Sequence, residues 1–376
     1  MCAKREENVR RPASKEMPLV RKSVVFAAAL CSVLVATSCA PGFGRSEASG
    51  DGSIAAADTC TSQSLRLSHQ WPAARGEDSD FRSQLAEDFS ERVSEATDGE
   101  VNIKVFANST LSKPNDQYDA MLAGSIDGAV MPLDYAAGHV PEWSISLMPG
   151  LVRSHDEARA WDESEIGEAL DRSMLDNELV RLVHVWNAGG IGAQSEPILT
   201  PDDVPQGATM RAAGAYVEYM LQDAGAGITS LPSSEIYSAM QTGVLDAAVT
   251  SASSFASYRL EELVTSYVSP TQNTFWFMYE PLVLTVGAYE QMCAEQQEAV
   301  QQVADELQER AYSDSEADDA RVETIFADAG VDVVQMDDAA FEQWLPLARD
   351  QWDAYRENVP GGGELMDLAQ KNGHGK

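Results

Sequence analysis

The first hydrophobic pattern in the chain is an uncharged run, SVVFAAALCSVLVATS, that stops at Cys39 after a stretch bearing Lys4, Arg5, Arg10, Arg11, Lys15, Arg21 and Lys22. The run is shorter than the roughly 18 to 20 residues of a membrane-spanning helix, and small residues Ala36, Thr37 and Ser38 close it, so residues 1–39 read as an export signal. The Gly/Ser-rich segment of residues 40–60 reads as a flexible tether. Alternation at LRLSHQW (65–71) predicts a strand, and the stripe Phe81, Leu85, Phe89 and Val93 predicts a helix from Asp78 to about Thr97. LVRLVHVW (179–186) and GATMR (207–211) predict further strands. The apolar stretch TFWFMYEPLVLTV (274–286) reads as an extended passage between lobes, and a helical pattern runs from Tyr289 to about Ala329. A helix of about 40 residues at 1.5 Å each is long enough to span two lobes. Tail helices are predicted around Asp338–Glu357 and Glu364–Lys371.

An internal repeat organises the rest. Residues 118–132, YDAMLAGSIDGAVMP, align without a gap to residues 237–251, YSAMQTGVLDAAVTS, with Tyr118, Ala120, Met121, Gly124, Asp127, Ala129 and Val130 matching Tyr237, Ala239, Met240, Gly243, Asp246, Ala248 and Val249. Each unit reads as a helix stopped by glycine, a short turn and a buried strand, and each follows a strand and a polar turn. The predicted fold is therefore α/β of the periplasmic-binding-protein kind: two α/β lobes around a cleft, joined by crossover strands and one long helix. The predicted division is lobe I at 61–187 with a returning segment at about 251–288, and lobe II at 188–250 with C-terminal segments at about 289–376.

Charge narrows the partners. Without the first 39 residues, which carry seven Lys/Arg and three Asp/Glu, 19 basic and 57 acidic side chains remain, a formal charge of −38. Nucleic acid and anionic lipid surfaces are poor partners for such a chain. Cys2 and Cys31 leave with the signal, and the pair Cys60 and Cys293 suits a disulfide closing a very long loop in an oxidising exterior.

Several chemistries are missing. The chain has no G-x-S-x-G and no H-E-x-x-H, its five histidines are scattered, and Gly189, Gly190 and Gly192 lead to Ile191, Ala193 and Pro197 instead of a phosphate-cradling helix. No catalytic residue, metal site or cofactor is therefore expected.

Residues Ala36 to Cys39 resemble a bacterial lipobox, which implies acylation of Cys39 and a lipoprotein on the outer, extracytoplasmic face of the cell membrane. The stretch from Gly207 to Glu262 carries a second resemblance: a strand ending at Arg211, then Leu231-Pro232-x-x-Glu235-x-Tyr237-x-Ala239-Met240 and Gly243-Val244-Leu245-Asp246. It resembles the solute-binding proteins of TRAP (tripartite ATP-independent periplasmic) transporters, the DctP-type family, and weaker similarity covers almost all of the mature chain. The resemblance implies capture of a small organic acid and its delivery to a small and a large integral membrane subunit. It also implies that Arg211 grips the ligand carboxylate, since guanidinium offers parallel donors matched to two carboxylate oxygens.

Two departures stand out. Where many members carry a second arginine this chain has Gly190-Ile191-Gly192-Ala193, and where many have Gln-Glu-Asn it has Ala248-Val249-Thr250. Both argue for a monocarboxylate with hydroxyl, keto, aromatic or amine substituents. Ligands in open α/β sheets sit beyond the carboxyl ends of strands. That rule nominates Met131, Asp134, Tyr135, Thr250, Ser251 and Ser253, with Trp186 and Asn187 ending a third strand, Trp71 following the first, and Phe255 and Trp276 near the crossover. An ABC-type binding lipoprotein and a secreted enzyme working through cleft carboxylates are the rival readings.

Overall fold

The computed structural model describes residues 54–76 and 79–372; residues 1–39, where an export signal is expected, with Cys39 as its acylated end, and residues 40–53 of the expected tether lie outside the described residues. Among the described residues the strands are β1 Gln63–Ser68, β2 Val101–Phe106, β3 Gly128–Val130, β4 Leu179–Val183, β5 Trp186–Ala193 and β6 Thr209–Arg211, then β7 Gly227–Ile228, β8 Ala247–Ser251, β9 Ser266–Ser269, β10 Phe277–Tyr279, β11 Leu282–Thr285 and β12 Asp332–Gln335. The α-helices are α1 Phe81–Ala96, α2 Gln117–Leu122, α3 His155–Asp162, α4 Glu165–Asp176, α5 Ala215–Asp223 and α6 Ile236–Gln241, followed by α7 Ala252–Ser257, α8 Val286–Glu290, α9 Ala294–Asp328, α10 Asp338–Asn358 and α11 Gly362–Asn372.

The strands form two sheets. The first has the order β2-β1-β3-β11-β4, and the second β12-β9-β5-β8-β6-β7 with β10 added beside β5. In each, three parallel strands (β2-β1-β3 and β7-β6-β8) meet an antiparallel neighbour, β11 or β5. The sequence repeat occupies equivalent places. Gly124 and Gly243, at φ 65° and 73°, end α2 and α6 in the left-handed region that only glycine enters cheaply. The Asp127 carboxylate then accepts the backbone N–H of Arg66 on β1 at 2.8 Å, and Asp246 accepts that of Thr209 on β6 at 2.8 Å. Each aspartate clips its strand to the parallel neighbour, which explains why the residue recurs.

Two short passages join the sheets, His184-Val185 between β4 and β5, and Glu280-Pro281 between β10 and β11. The stretch 179–186, expected to be one strand, is thus two. Gln308 of α9 is the reason: its amide accepts the His184 N–H at 2.8 Å and donates to the His184 carbonyl at 2.9 Å, so neither group is left for a ladder. The passages are also tied to each other by the Glu280 N–H on the Val185 carbonyl at 2.7 Å. Helix α9, 35 residues and about 52 Å long, packs Val300, Val303 and Leu307 into the core beneath the first sheet. Farther along, Val322 and Phe326 pack into the core beneath the second.

Three expected boundaries shift. Strand β9 pairs with β5 and β12, so the chain returns to the first sheet at Leu282 and not near residue 251. The C-terminal segments are shared between lobes: Phe341 and Trp344 of α10 pack under the second sheet, while Met366 and Ala369 of α11 pack with Ile166 and Leu170 of α4. The tether does not stay free to residue 60, because Ala57 donates to the Met292 carbonyl at 2.9 Å and Cys60 is bonded to Cys293. Among the described residues no helix is long and apolar enough to cross a membrane.

Candidate functional site

Arg211 is the last residue of β6 and is fully buried. Its guanidinium donates from Nε to the Leu231 carbonyl at 2.9 Å, from Nη1 to the Val249 carbonyl at 2.9 Å and from Nη2 to the Tyr135 hydroxyl at 3.0 Å. Guanidinium has five N–H groups. One N–H on each terminal nitrogen therefore has no protein acceptor among the described residues, and no carboxylate there lies within ion-pair distance. Tyr135 comes from the first lobe and also accepts the Ser233 N–H of the second at 3.3 Å, so the arginine stands where the lobes meet. Nearby, Gln70, just after β1, accepts the Ser233 hydroxyl at 3.3 Å on its amide oxygen and the Tyr258 hydroxyl at 3.2 Å on its carbonyl.

A second buried arginine sits farther along this interface, and sequence reasoning missed it. Arg82, at the start of α1, donates to both oxygens of Asp80 at 2.9 and 2.6 Å and to Glu280 at 2.8 Å. It also reaches the hydroxyls of Ser251 at 3.1 Å and Ser254 at 3.2 Å, and lies 4.0 Å from the ring centre of Trp71. Asn187 joins the group, donating to Glu280 at 2.5 Å and accepting from Ser253 at 3.0 Å. Burial opposes ionisation of Asp80, but Arg82 and the Ser257 hydroxyl overcome it and hold the carboxyl below its ordinary range. Glu280 goes the other way: burial pushes it up, against the pull of Arg82. The signals were a lone Glu280 in an apolar run and the Asp80-x-Arg82 pair at a helix start.

The nominated residues thus separate into three groups. Arg211 and Tyr135 touch directly, and Ser251, Ser253, Asn187 and Trp71 cluster around Arg82. Met131, Trp186, Phe255 and Trp276 are buried in the cores, and Thr250 is buried within β8. Trp186 begins β5 instead of ending a strand, and its indole N–H lies on both oxygens of Asp162 at 2.9 and 3.0 Å. Trp276 packs where a side chain at Gly189 would begin, 2.1 Å from its ring. Among the described residues, the indole N–H groups of Trp71 and Trp276 have no acceptor.

Close to Arg211 opens a cavity of about 260 Å³, walled by Tyr135 and Leu231, two of the three residues that hold the guanidinium, and by Asp134, Glu218 and Asn115. Asp134 lines it from the first lobe and Glu218 from the second. Burial, reinforced by Glu218 and opposed by Arg211, pushes the Asp134 carboxyl up to about 7. Glu218 is also raised by burial, against the Ser230 hydroxyl and Arg211. The sulfurs of Cys60 and Cys293 lie near the Glu295 carboxylate, but they are joined as a disulfide and offer no thiolate to a metal.

The model for bacterial extracellular solute-binding proteins of family 7, DctP, matches residues 73–358. A solute-binding protein of Albidiferax ferrireducens is 35% identical over 308 residues, covering 82% of this chain and 91% of its own. A TRAP periplasmic solute-binding protein of Rhodoferax ferrireducens, solved with bound malonate, superposes with a TM-score of 0.79 at 35% identity, covering 82% of this chain and 98% of its own. One from Sulfitobacter sp. NAS-14.1, solved with β-D-galacturonate, superposes with a TM-score of 0.72 at 25% identity, over 82% of this chain and 100% of its own.

Proposed function

The chain belongs to family 7 of the bacterial extracellular solute-binding proteins, the DctP family, and we propose that it captures a small organic acid by one carboxylate on Arg211 for delivery to TRAP membrane subunits. The observation that carries this reading is the Arg211 guanidinium: buried between lobes, held by Leu231, Val249 and Tyr135, and keeping one N–H on each terminal nitrogen for an incoming carboxylate. Relatives solved with malonate and β-D-galacturonate support an acid as cargo.

A single charged anchor fits the rest of the interface. Arg82 is already matched by Asp80 and Glu280, so it offers no place to a second ligand carboxylate. With no second cation free at the interface among the described residues, a monocarboxylate suits the site better than a dianion. Closure of the lobes about the two short passages buries the bound acid and presents a new surface to the membrane subunits. Attachment by an acylated Cys39 would keep the protein at the membrane face, and a Cys39→Ala protein then appears in the soluble fraction. The test of cargo is mass spectrometry of what co-purifies, followed by calorimetry with malonate, galacturonate and pyroglutamate. Retention of an unaltered acid supports capture; chemical turnover of it, or indifference to every carboxylate, overturns the reading.

A further inference from the structure

The cavity beside Arg211 has the wrong charge for a simple anion. Arg82 is matched within its own cluster, so the local balance is set by one guanidinium, Arg211, against two carboxylates, Asp134 and Glu218, which approach from opposite lobes. Asp134 is only 9% exposed, and its side chain has no hydrogen-bond partner among the described residues. Its Oδ2 lies 3.6 Å from where a side chain at Gly214 would begin, and Gly214 has φ +86°, so the chain keeps a bare backbone against it. Glu218 accepts the Ser230 hydroxyl, which leaves lone pairs still open.

We infer that this cavity takes a primary ammonium carried by the same molecule whose carboxylate lies on Arg211, so that the cargo is an amino-carboxylate. The inference rests on the carboxylate reading of Arg211 and specifies the other end of the ligand. Arg211 is buried behind the cavity wall, but Tyr135 and Leu231 both line that wall and hold its guanidinium, so the distance from Asp134 to Arg211 is within the span of one small skeleton once the wall opens to the ligand. The room, about 260 Å³, exceeds what a bare ion fills. A hard divalent cation wants six or more oxygens and no guanidinium alongside, and the wall offers two carboxylates and the Asn115 amide. An ammonium needs three acceptors, which that set supplies. It also offsets the two carboxylates, whereas a hydroxyl or second carboxylate leaves the excess negative charge in place.

The groups facing Asp134 fix the pH behaviour. They are Arg211 on β6, Glu218 and Tyr216 on α5, and neighbouring Tyr135; His139 farther along is turned to Asp119 at 3.2 Å. In the free protein Asp134 loses its proton as the pH rises through about 7. An ammonium ligand binds the ionised form, so its affinity rises across that range. A hydroxy acid, which adds only negative charge, weakens across it.

The probes are ω-amino acids of increasing length, glycine, β-alanine, 4-aminobutyrate and 5-aminovalerate, each against its ω-hydroxy counterpart, by calorimetry on the wild-type protein at pH 5.5 and 8. At one length the amine binds roughly tenfold or more tighter than the hydroxy acid at pH 8, and the gap narrows at pH 5.5. Asp134→Asn removes most of that preference while hydroxy-acid binding persists; Glu218→Gln is the second variant should the first unfold, and the wild-type pH comparison requires neither. Equal or tighter binding of the hydroxy acid at every length, or a preference untouched in both variants, overturns the inference and leaves carboxylate capture standing. Indifference to all of these probes and to malonate overturns both.

Discussion

The guanidinium of Arg82 and the carboxylate of Glu280 lie 2.8 Å apart with side chains 0% and 3% exposed, joining the first helix to a passage between the lobes. Because Arg82 also reaches Ser251 and Ser254, removing it leaves Asp80 and Glu280 buried without their counter-charge and the lobes without that tie. Arg82→Ala should cost about 3 to 5 kcal/mol in urea unfolding. Glu280→Gln, which keeps an acceptor, should cost about 1 to 3 kcal/mol. Equal losses for the two variants would contradict this account.

Arg211 should supply most of the charge recognition. Truncating one side of a buried charge pair costs about 2 to 5 kcal/mol, so Arg211→Ala should weaken carboxylate binding by roughly 30-fold to several thousand-fold. Arg211→Lys should recover only part, since it keeps the charge and loses the planar fork. Calorimetry with the co-purifying acid decides it; an alanine variant within about threefold of wild type would put Arg211 outside the site.

Asp162 makes stability depend on pH with a defined sign. Burial, opposed by the Trp186 and Tyr312 donors, pushes its carboxyl from 3.8 up to about 7. Between those values the folded chain keeps a proton that the unfolded chain releases, so this contribution is complete below about 4 and gone above about 7. The stability advantage of wild type over Asp162→Asn should therefore shrink from pH 5 to pH 8, by on the order of a few kcal/mol. His184, 3.2 Å away and lowered by burial, acts with the opposite sign below its ordinary range, but is present in both proteins and largely cancels. An advantage that grows with pH would refute the assignment.

Gly190 should tolerate no side chain. A Cβ there would lie 2.5 Å from the Tyr267 ring and 2.5 Å from the Val268 carbonyl, one of them rigid backbone. Gly190→Ala should lower stability by about 1 to 3 kcal/mol, read from the denaturant midpoint. Gly287→Ala, with nothing within 4 Å, should be near neutral and serves as the control.

The halves of the fold were legible because the repeat preserves its mechanics: the helix-ending glycines Gly124 and Gly243 and the clipping aspartates Asp127 and Asp246 are local devices that sequence displays. The break at His184 was not legible, since its cause is Gln308, 124 residues away. The glycines of β5 were set aside as a failed phosphate loop, whereas they make room for Trp276 and Tyr267, again distant partners. At the lobe interface, Arg211 was nominated through the motif around it, and it is buried there. Arg82 was missed because an arginine in a helical stripe reads as a solvated face until Asp80, Glu280 and Ser251 are seen to converge on it.

The Cys60–Cys293 bond also decides where mechanical load enters the molecule. Strand β1 begins three residues after Cys60 and lies inside its sheet, between β2 and β3. A pull on the N-terminal segment would otherwise act along β1 and strip it from both neighbours. With the bond in place, tension passes at Cys60 to the residue that caps α9, and that helix spreads it over both lobes. Strand β1 and its sheet neighbours are thereby shielded from a force applied before Cys60.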